Sequence, residues 1–177
     1  MIETIVNNIN TIIKGHLNDV PAQIYGLAEP IIQREFNEDK EVEVLMPMLV
    51  DDNGEMQYPF IDDEYKFGFY HKLTNKKYDV SQKQGFGDTA NVIVNASLSL
   101  ICWGFNIKGE TLEEFIAAYK PEIMVFSDTN FDRQSVFGGE FKGVDFFLPP
   151  EVTLFKINYT VRYVQKAECI EINEIFN

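Results

Sequence analysis

The sequence predicts an α+β fold: a mostly antiparallel sheet packed on two helices, with a long aromatic loop containing Gly and Pro. Three observations predict it. Apolar residues recur at helical spacing in the opening segment, and a capping box opens a second helix at Thr111. Several later runs alternate apolar and polar residues over strand lengths. Two helices covering one face of such a sheet make a two-layer sandwich. The 177 residues read as a single domain with an excursion over about 127–150. A domain of this length buries about 70% of its unfolded surface, so it needs no disulfide or metal to fold.

In Ile2–Leu17 the residues Ile2, Ile5, Val6, Ile9, Ile12, Ile13 and Leu17 form one apolar stripe. Asn7, Asn8, Asn10 and Lys14 fill the opposite face. Asparagine is a poor helix former, so docking of the stripe supplies most of this helix's stability. Pro21, Gly26 and Pro30 break Val20–Phe36, which reads as a loop with one short helical turn. Val42–Val50 is a strand, and Pro47 places it at an edge or a bulge. Asp51-Asp52-Asn53-Gly54 is a tight turn, and the alternation of Met56, Tyr58 and Phe60 completes a hairpin. Glu64–Leu73 is a further strand, ended by a turn at Thr74-Asn75-Lys76-Lys77.

Ala90–Phe105 holds the strongest strand pattern. Val92, Val94, Ala96, Leu98, Leu100 and Cys102 share one face, and the other mixes Asn95, Ser97 and Ser99 with Ile101 and Trp103. In Thr111-Leu112-Glu113-Glu114 the Thr hydroxyl takes a free N–H and Glu114 reaches back to the cap, opening a helix to Tyr119. Thr153–Gln165 is the last strand, with Phe155, Ile157, Tyr159, Val161 and Tyr163 on one face.

Lys and Arg total 15 and Asp and Glu total 28, for a net charge of −13. Phosphate affinity depends on clustered cations, so this balance argues against a nucleic-acid binder. The N-terminus lacks a basic region followed by an unbroken apolar run, and no stretch reaches the roughly 18 apolar residues that span a bilayer. A soluble protein made in a reducing cytosol is expected, with Cys102 and Cys169 as buried free thiols.

No motif names a reaction. His16 and His71 have no metal-ligand spacing around them and read as polar residues, one near a helix end and one on a solvated strand face. Asp128-Thr129-Asn130-Phe131-Asp132 imitates a calcium loop, but Arg133 and Gly139 stand where the glycine and the bidentate glutamate belong. These residues read as a turn bonding its own backbone. Gly85-Phe86-Gly87 lacks the third glycine of a dinucleotide fingerprint. The acidic clusters Glu38-Asp39, Asp51-Asp52 and Asp62-Asp63-Glu64 read as solvated loops, or as a negative surface facing a partner or a passing polyanion. No catalytic, metal or cofactor-binding residue is assigned, and no cofactor is expected.

Ser127–Pro150 carries Phe131, Phe137, Phe141, Phe146 and Phe147 among glycines and prolines. These five phenylalanines are the candidate interface. Two readings stand: they tuck under the sheet as a second core, or they bury in a neighbouring subunit. The second is expected to dominate, because Gly138, Gly139 and Gly143 let the segment adapt to a partner.

The order of these elements resembles that of phage tail-terminator and neck-ring proteins, the head–tail connector components. The likeness rests on the helix Ile2–Leu17, the hairpin at Asp52-Asn53-Gly54, the strand Ala90–Phe105, the helix Thr111–Tyr119 and the strand Thr153–Gln165. It implies a non-enzymatic virion protein assembled in the host bacterial cytoplasm as a homo-oligomeric ring. Other tail or neck proteins would be its neighbours and DNA its transient cargo, with no membrane involved. An acidic inner wall would repel phosphate and let DNA slide. Two other classes compete. One is an acidic binding or inhibitor module that imitates nucleic acid, and the other is an enzyme using dispersed carboxylates. Oligomeric state separates the first class from both.

Overall fold

Alternation along Asn91–Phe105 sends Val94, Ala96, Leu98, Leu100 and Cys102 to one face and Ile101 and Trp103 to the other, and both sets are buried. A strand buried on both sides needs a layer on each. The computed structural model describes residues 1–17, 20–37, 41–51, 53–59, 65–79, 91–105, 124–130, 132–144 and 151–166. Its elements are α1 (Ile2–His16), β1 (Ala22–Asn37), β2 (Val42–Asp51), β3 (Met56–Gln57), β4 (Phe67–Asp79), β5 (Asn91–Phe105), β6 (Met124–Asn130), α2 (Arg133–Glu140) and β7 (Val152–Lys166). The strands form a mixed sheet in the order β3-β2-β1-β4-β5-β7-β6. Neighbours are antiparallel except β1 and β4, which run parallel. The fold is α+β.

The first core lies between α1 and one sheet face. Val6, Ile9 and Ile13 pack on Phe69, Leu98, Leu100, Ile157 and Tyr159. This is the apolar stripe read from the sequence. The second core lies on the opposite face, where Val136, Phe137 and Phe141 cover Tyr70, Ile101, Trp103, Val152 and Leu154. The two described helices therefore lie on opposite faces of the sheet. The expected second helix, Thr111–Tyr119, falls outside the described residues.

The expected long aromatic loop is replaced by regular structure across most of its described length. Residues 124–130 are β6, antiparallel to β7, and residues 133–140 are α2. Gly138 and Gly139 each disfavour a helix by about 1 kcal/mol, so local propensity does not make α2. Burial of Val136 and Phe137 does, helped by Glu140, which accepts hydrogen bonds from Lys72 and Lys156 at 2.7 Å each.

Val20–Phe36 is strand rather than loop over most of its length. Its early residues pair with β4, from Ala22 opposite Phe67 to Leu27 opposite His71. From Ala28 opposite Asp51 to Asn37 opposite Val42 it pairs with β2 instead. The change of partner coincides with a break in register between Ile24 and Leu27, where Gly26 takes φ +68°. Pro30 is tolerated because this part of β1 is paired on one side only among the described residues. Pro47 lies on β2 beyond the reach of β3, which among the described residues pairs with Leu49 and Val50 alone. The edge position expected for Pro47 is the one observed.

The hairpin turn also follows the sequence. Asp51 Oδ1 accepts from the backbone N–H of Asn53 and of Glu55 at 2.9 Å each, and Gly54 supplies φ +81°. The turn expected at Thr74–Lys77 is absent. β4 instead runs on to Asp79 through a bulge between Leu73 and Asn75.

The consequence of these pairings is a forked sheet. Beyond Leu27 and His71, β1 and β4 share no rung among the described residues. Because they run parallel, their continuations project from the core in the same general direction. One arm is β1–β2, and the other is the far end of β4, β5 and β7.

Candidate functional site

The buried polar centre lies under α1. His71 shares a face with Phe67 and Phe69 on β4 and is fully buried. Its Nε2 lies 2.8 Å from Asn10 Oδ1 and its Nδ1 lies 2.7 Å from the Tyr159 hydroxyl. A neutral imidazole satisfies both contacts: Nε2–H donates to Asn10, and Nδ1 accepts from Tyr159. Burial pushes the His71 pKa down to about 3. The same burial raises the Tyr159 hydroxyl and the Cys102 thiol well above their ordinary ranges. Three uncharged groups sealed under a helix cannot meet a substrate. The arrangement fastens α1 to β4 and β7.

Two sequence expectations are corrected by this centre. His71 was expected on a solvated strand face, yet its even spacing from Phe67 and Phe69 puts it in the core. Asn10 was expected on the polar face of α1, yet it is buried with only 7% of its surface exposed. A polar residue is stable there because His71 hydrogen-bonds it. His16 is exposed near the end of α1, as expected.

On the opposite face, Glu140 bridges Lys72 on β4 and Lys156 on β7. Burial opposes charge on the carboxylate, but hydrogen bonds from Lys156 and Lys72 outweigh it and hold the Glu140 pKa below its ordinary value. Nearby, the hydroxyl of Tyr70 is buried with no hydrogen-bond partner among the described residues. Burial raises its pKa, and the charges of Glu140 and Glu29 raise it further.

An open cleft of about 240 Å³ lies between α1 and the β2–β3 turn, lined by Glu3, Asn7, Tyr25, Asp51 and Asn53 among others. Its two carboxylates have no histidine or cysteine beside them, and Asp51 is already committed to the turn. Among the described residues no three His, Cys, Asp or Glu converge as a metal site would require. No helix among them is long and apolar enough to cross a membrane.

The candidate interface phenylalanines divide. Phe137 and Phe141 are buried in the chain's own second core, with rings 5.9 Å apart and Phe137 5.8 Å from Trp103. They are therefore core side chains and present no surface to a neighbour. Phe131, Phe146 and Phe147 lie outside the described residues, as do the acidic clusters Glu38-Asp39 and Asp62-Asp63-Glu64. The Asp128–Asp132 motif, expected as a turn, is strand over residues 128–130, paired with β7, and Asn130 Oδ1 accepts from the Asp132 N–H at 2.8 Å just past the strand's end.

The exposed surface of interest is on the two arms. On β1 the side chains of Ile31 and Ile32 are each 37% exposed and Phe36 is 63% exposed. On the far end of the main sheet every side chain from Thr74 to Asp79 is exposed, and Tyr78 and Val164 are more than half so. The sequence reading missed this surface because it took Val20–Phe36 for a loop and ended the β4 strand at Leu73. No family model matches the chain, and no curated protein matches it either.

Proposed function

We propose that this chain is a non-enzymatic virion structural protein that assembles into a ring, as a phage tail terminator or a neck component, with DNA passing through it. The observation that carries the reading is the forked sheet. Two strand arms diverge beyond Leu27 and His71, run in the same general direction and expose apolar side chains toward their ends. Exposed apolar strands are an aggregation hazard for a monomer and suitable material for a subunit contact. The chemistry agrees with a structural role. The buried His71 centre is satisfied within the chain, and Glu140 is taken up by two lysines. The net charge of −13 suits a channel wall over which DNA slides. Neighbours would be other tail or neck proteins, in a particle assembled in the bacterial cytoplasm.

The test is the mass of the purified protein by light scattering, with negative-stain images of the same sample. A closed ring with a central opening supports the reading. A monomer that captures a basic protein overturns it in favour of the acidic binding module.

A further inference from the structure

The two arms carry opposite charge. Among the described residues the exposed charges on β1–β2 are Glu29, Arg34, Glu35, Glu41 and Glu43, four acids against one base, and Arg34 already lies 3.6 Å from Glu43. On the far end of β4, β5 and β7 they are Lys76, Lys77, Asp79 and Arg162, three bases against one acid. In a chain with 28 acids and 15 bases, a basic patch of this kind runs against the overall composition.

Strand alternation sorts these residues onto faces. Glu29, Ile31 and Glu35 share one face of β1, and their cross-strand partners are Val50, Met48 and Val44. The face is apolar along its length and acidic toward both ends. Lys77 and Arg162 share a row of the sheet, both registered against Asn95, and Val164 lies two residues beyond Arg162 on the same face. Asp79, registered like Val164 against Ile93, shares that face, which is apolar and carries two bases and one acid.

We propose that the acidic face of the β1–β2 arm in one copy of the chain docks on the basic far end of β4–β5–β7 in a second copy. The inference rests on the reading that the chain self-assembles, and it names the surface. Both patches belong to diverging parts of one sheet, and each presents to a second copy what the other lacks. The contact joins two different patches, so it is heterologous and propagates from copy to copy. Because β1 and β4 are parallel, a rotation about an axis along the arms brings patch to patch while every arm keeps its direction. That is the symmetry of a ring. Pro47, lacking a donor in the middle of a β2 edge that has no strand partner there among the described residues, disfavours strand-to-strand addition and leaves the faces to make the contact.

The experiment compares three proteins by light scattering and thermal melting: the parent, Lys77→Glu/Arg162→Glu, and that variant carrying Glu29→Lys/Glu35→Lys as well. The expected result is an assembled parent, a monomeric double variant that melts like a folded protein, and assembly restored in the quadruple charge swap. The parent should also dissociate in roughly 1 M salt, where the screening length falls to about 3 Å. An assembled, salt-resistant double variant overturns this surface and leaves the ring reading standing. A parent that is monomeric at high concentration overturns the ring reading itself. Should Lys77→Glu/Arg162→Glu fail to fold, Glu29→Lys/Glu35→Lys alone must abolish assembly, and its retention overturns the proposal.

Discussion

Gly68 on β4 lies directly opposite Trp103 on β5, and the indole fills the space that a side chain at residue 68 would need. A Cβ built on Gly68 overlaps the Trp103 ring. The ring cannot move aside easily, because Tyr25, Tyr70 and Phe137 surround it at centroid distances of 5.8, 6.3 and 5.8 Å. Gly68→Ala should therefore lower stability by about 2–3 kcal/mol, in the range of overpacked cores. Urea denaturation followed by tryptophan fluorescence measures it, since Trp103 is the single indole of the chain. An unchanged midpoint would show that the indole has another place to go.

Phe141→Ala and Phe137→Ala should each destabilise the monomer by about 3–5 kcal/mol, the range for large-to-small core substitutions. Both side chains are essentially inaccessible to solvent. Had these phenylalanines been subunit contacts, assembly would fail while the melting temperature held. Melting by circular dichroism beside light scattering on one sample separates the outcomes. Loss of assembly with unchanged melting would return both residues to an interface.

Much of the fold was legible in the sequence, and the failures share a cause. The stripe of α1, the two long strands β5 and β7 and the Asp51–Gly54 turn were readable because their patterns are local. β1 was missed because Pro30 and Gly26 are breakers by local rule. They are tolerated because the strand changes partners at Gly26 and, among the described residues, is paired on one side at Pro30. α2 was missed because its sequence, with Gly138 and Gly139, is a poor helix, and distant Lys72 and Lys156 help hold it. The His71 centre joins residues 61 and 88 positions apart, a juxtaposition that no spacing rule reports. One signal was available: His71 continues the alternation of Phe67 and Phe69.

Glu140→Gln should cost about 1–2 kcal/mol at neutral pH, because it leaves two ammonium groups beside a neutral amide. The loss stays moderate, since the side chains of Lys72 and Lys156 are 28% and 24% exposed and can turn toward water. The pH dependence follows the carboxylate. Its folded pKa lies below the ordinary 4.5, so its stabilisation is complete above that value and is lost as pH falls through the folded pKa. The variant should thus lose part of the parent's stability decline below about pH 4.5, as read from urea midpoints across that range. A variant as stable as the parent at pH 7 would show that the bridge contributes nothing net.

His71 governs a different and higher pH window. Its pKa stands near 6.5 in the unfolded chain and about 3 when folded, so between those values the unfolded state binds a proton that the native state refuses. Stability is therefore complete above about pH 6.5 and falls as the solution is acidified toward pH 3, by about 1.4 kcal/mol for each pH unit well inside the window. The cause is burial. Burial disfavours the charged imidazolium, and the Tyr159 hydroxyl, 2.7 Å from Nδ1, would have to turn from donor to acceptor to keep its hydrogen bond. His71→Gln removes the titrating group and keeps a polar side chain able to bond Asn10. It should lower stability at pH 7 while flattening the slope between pH 6.5 and 5.5, where Glu140 is ionised in both the folded and the unfolded chain. Urea midpoints for parent and variant at pH 7, 6.5, 6 and 5.5 measure both effects. Parallel slopes in the two proteins would mean that His71 takes up its proton without unfolding the chain. In that case the centre under α1 would have to open while the rest of the sheet holds.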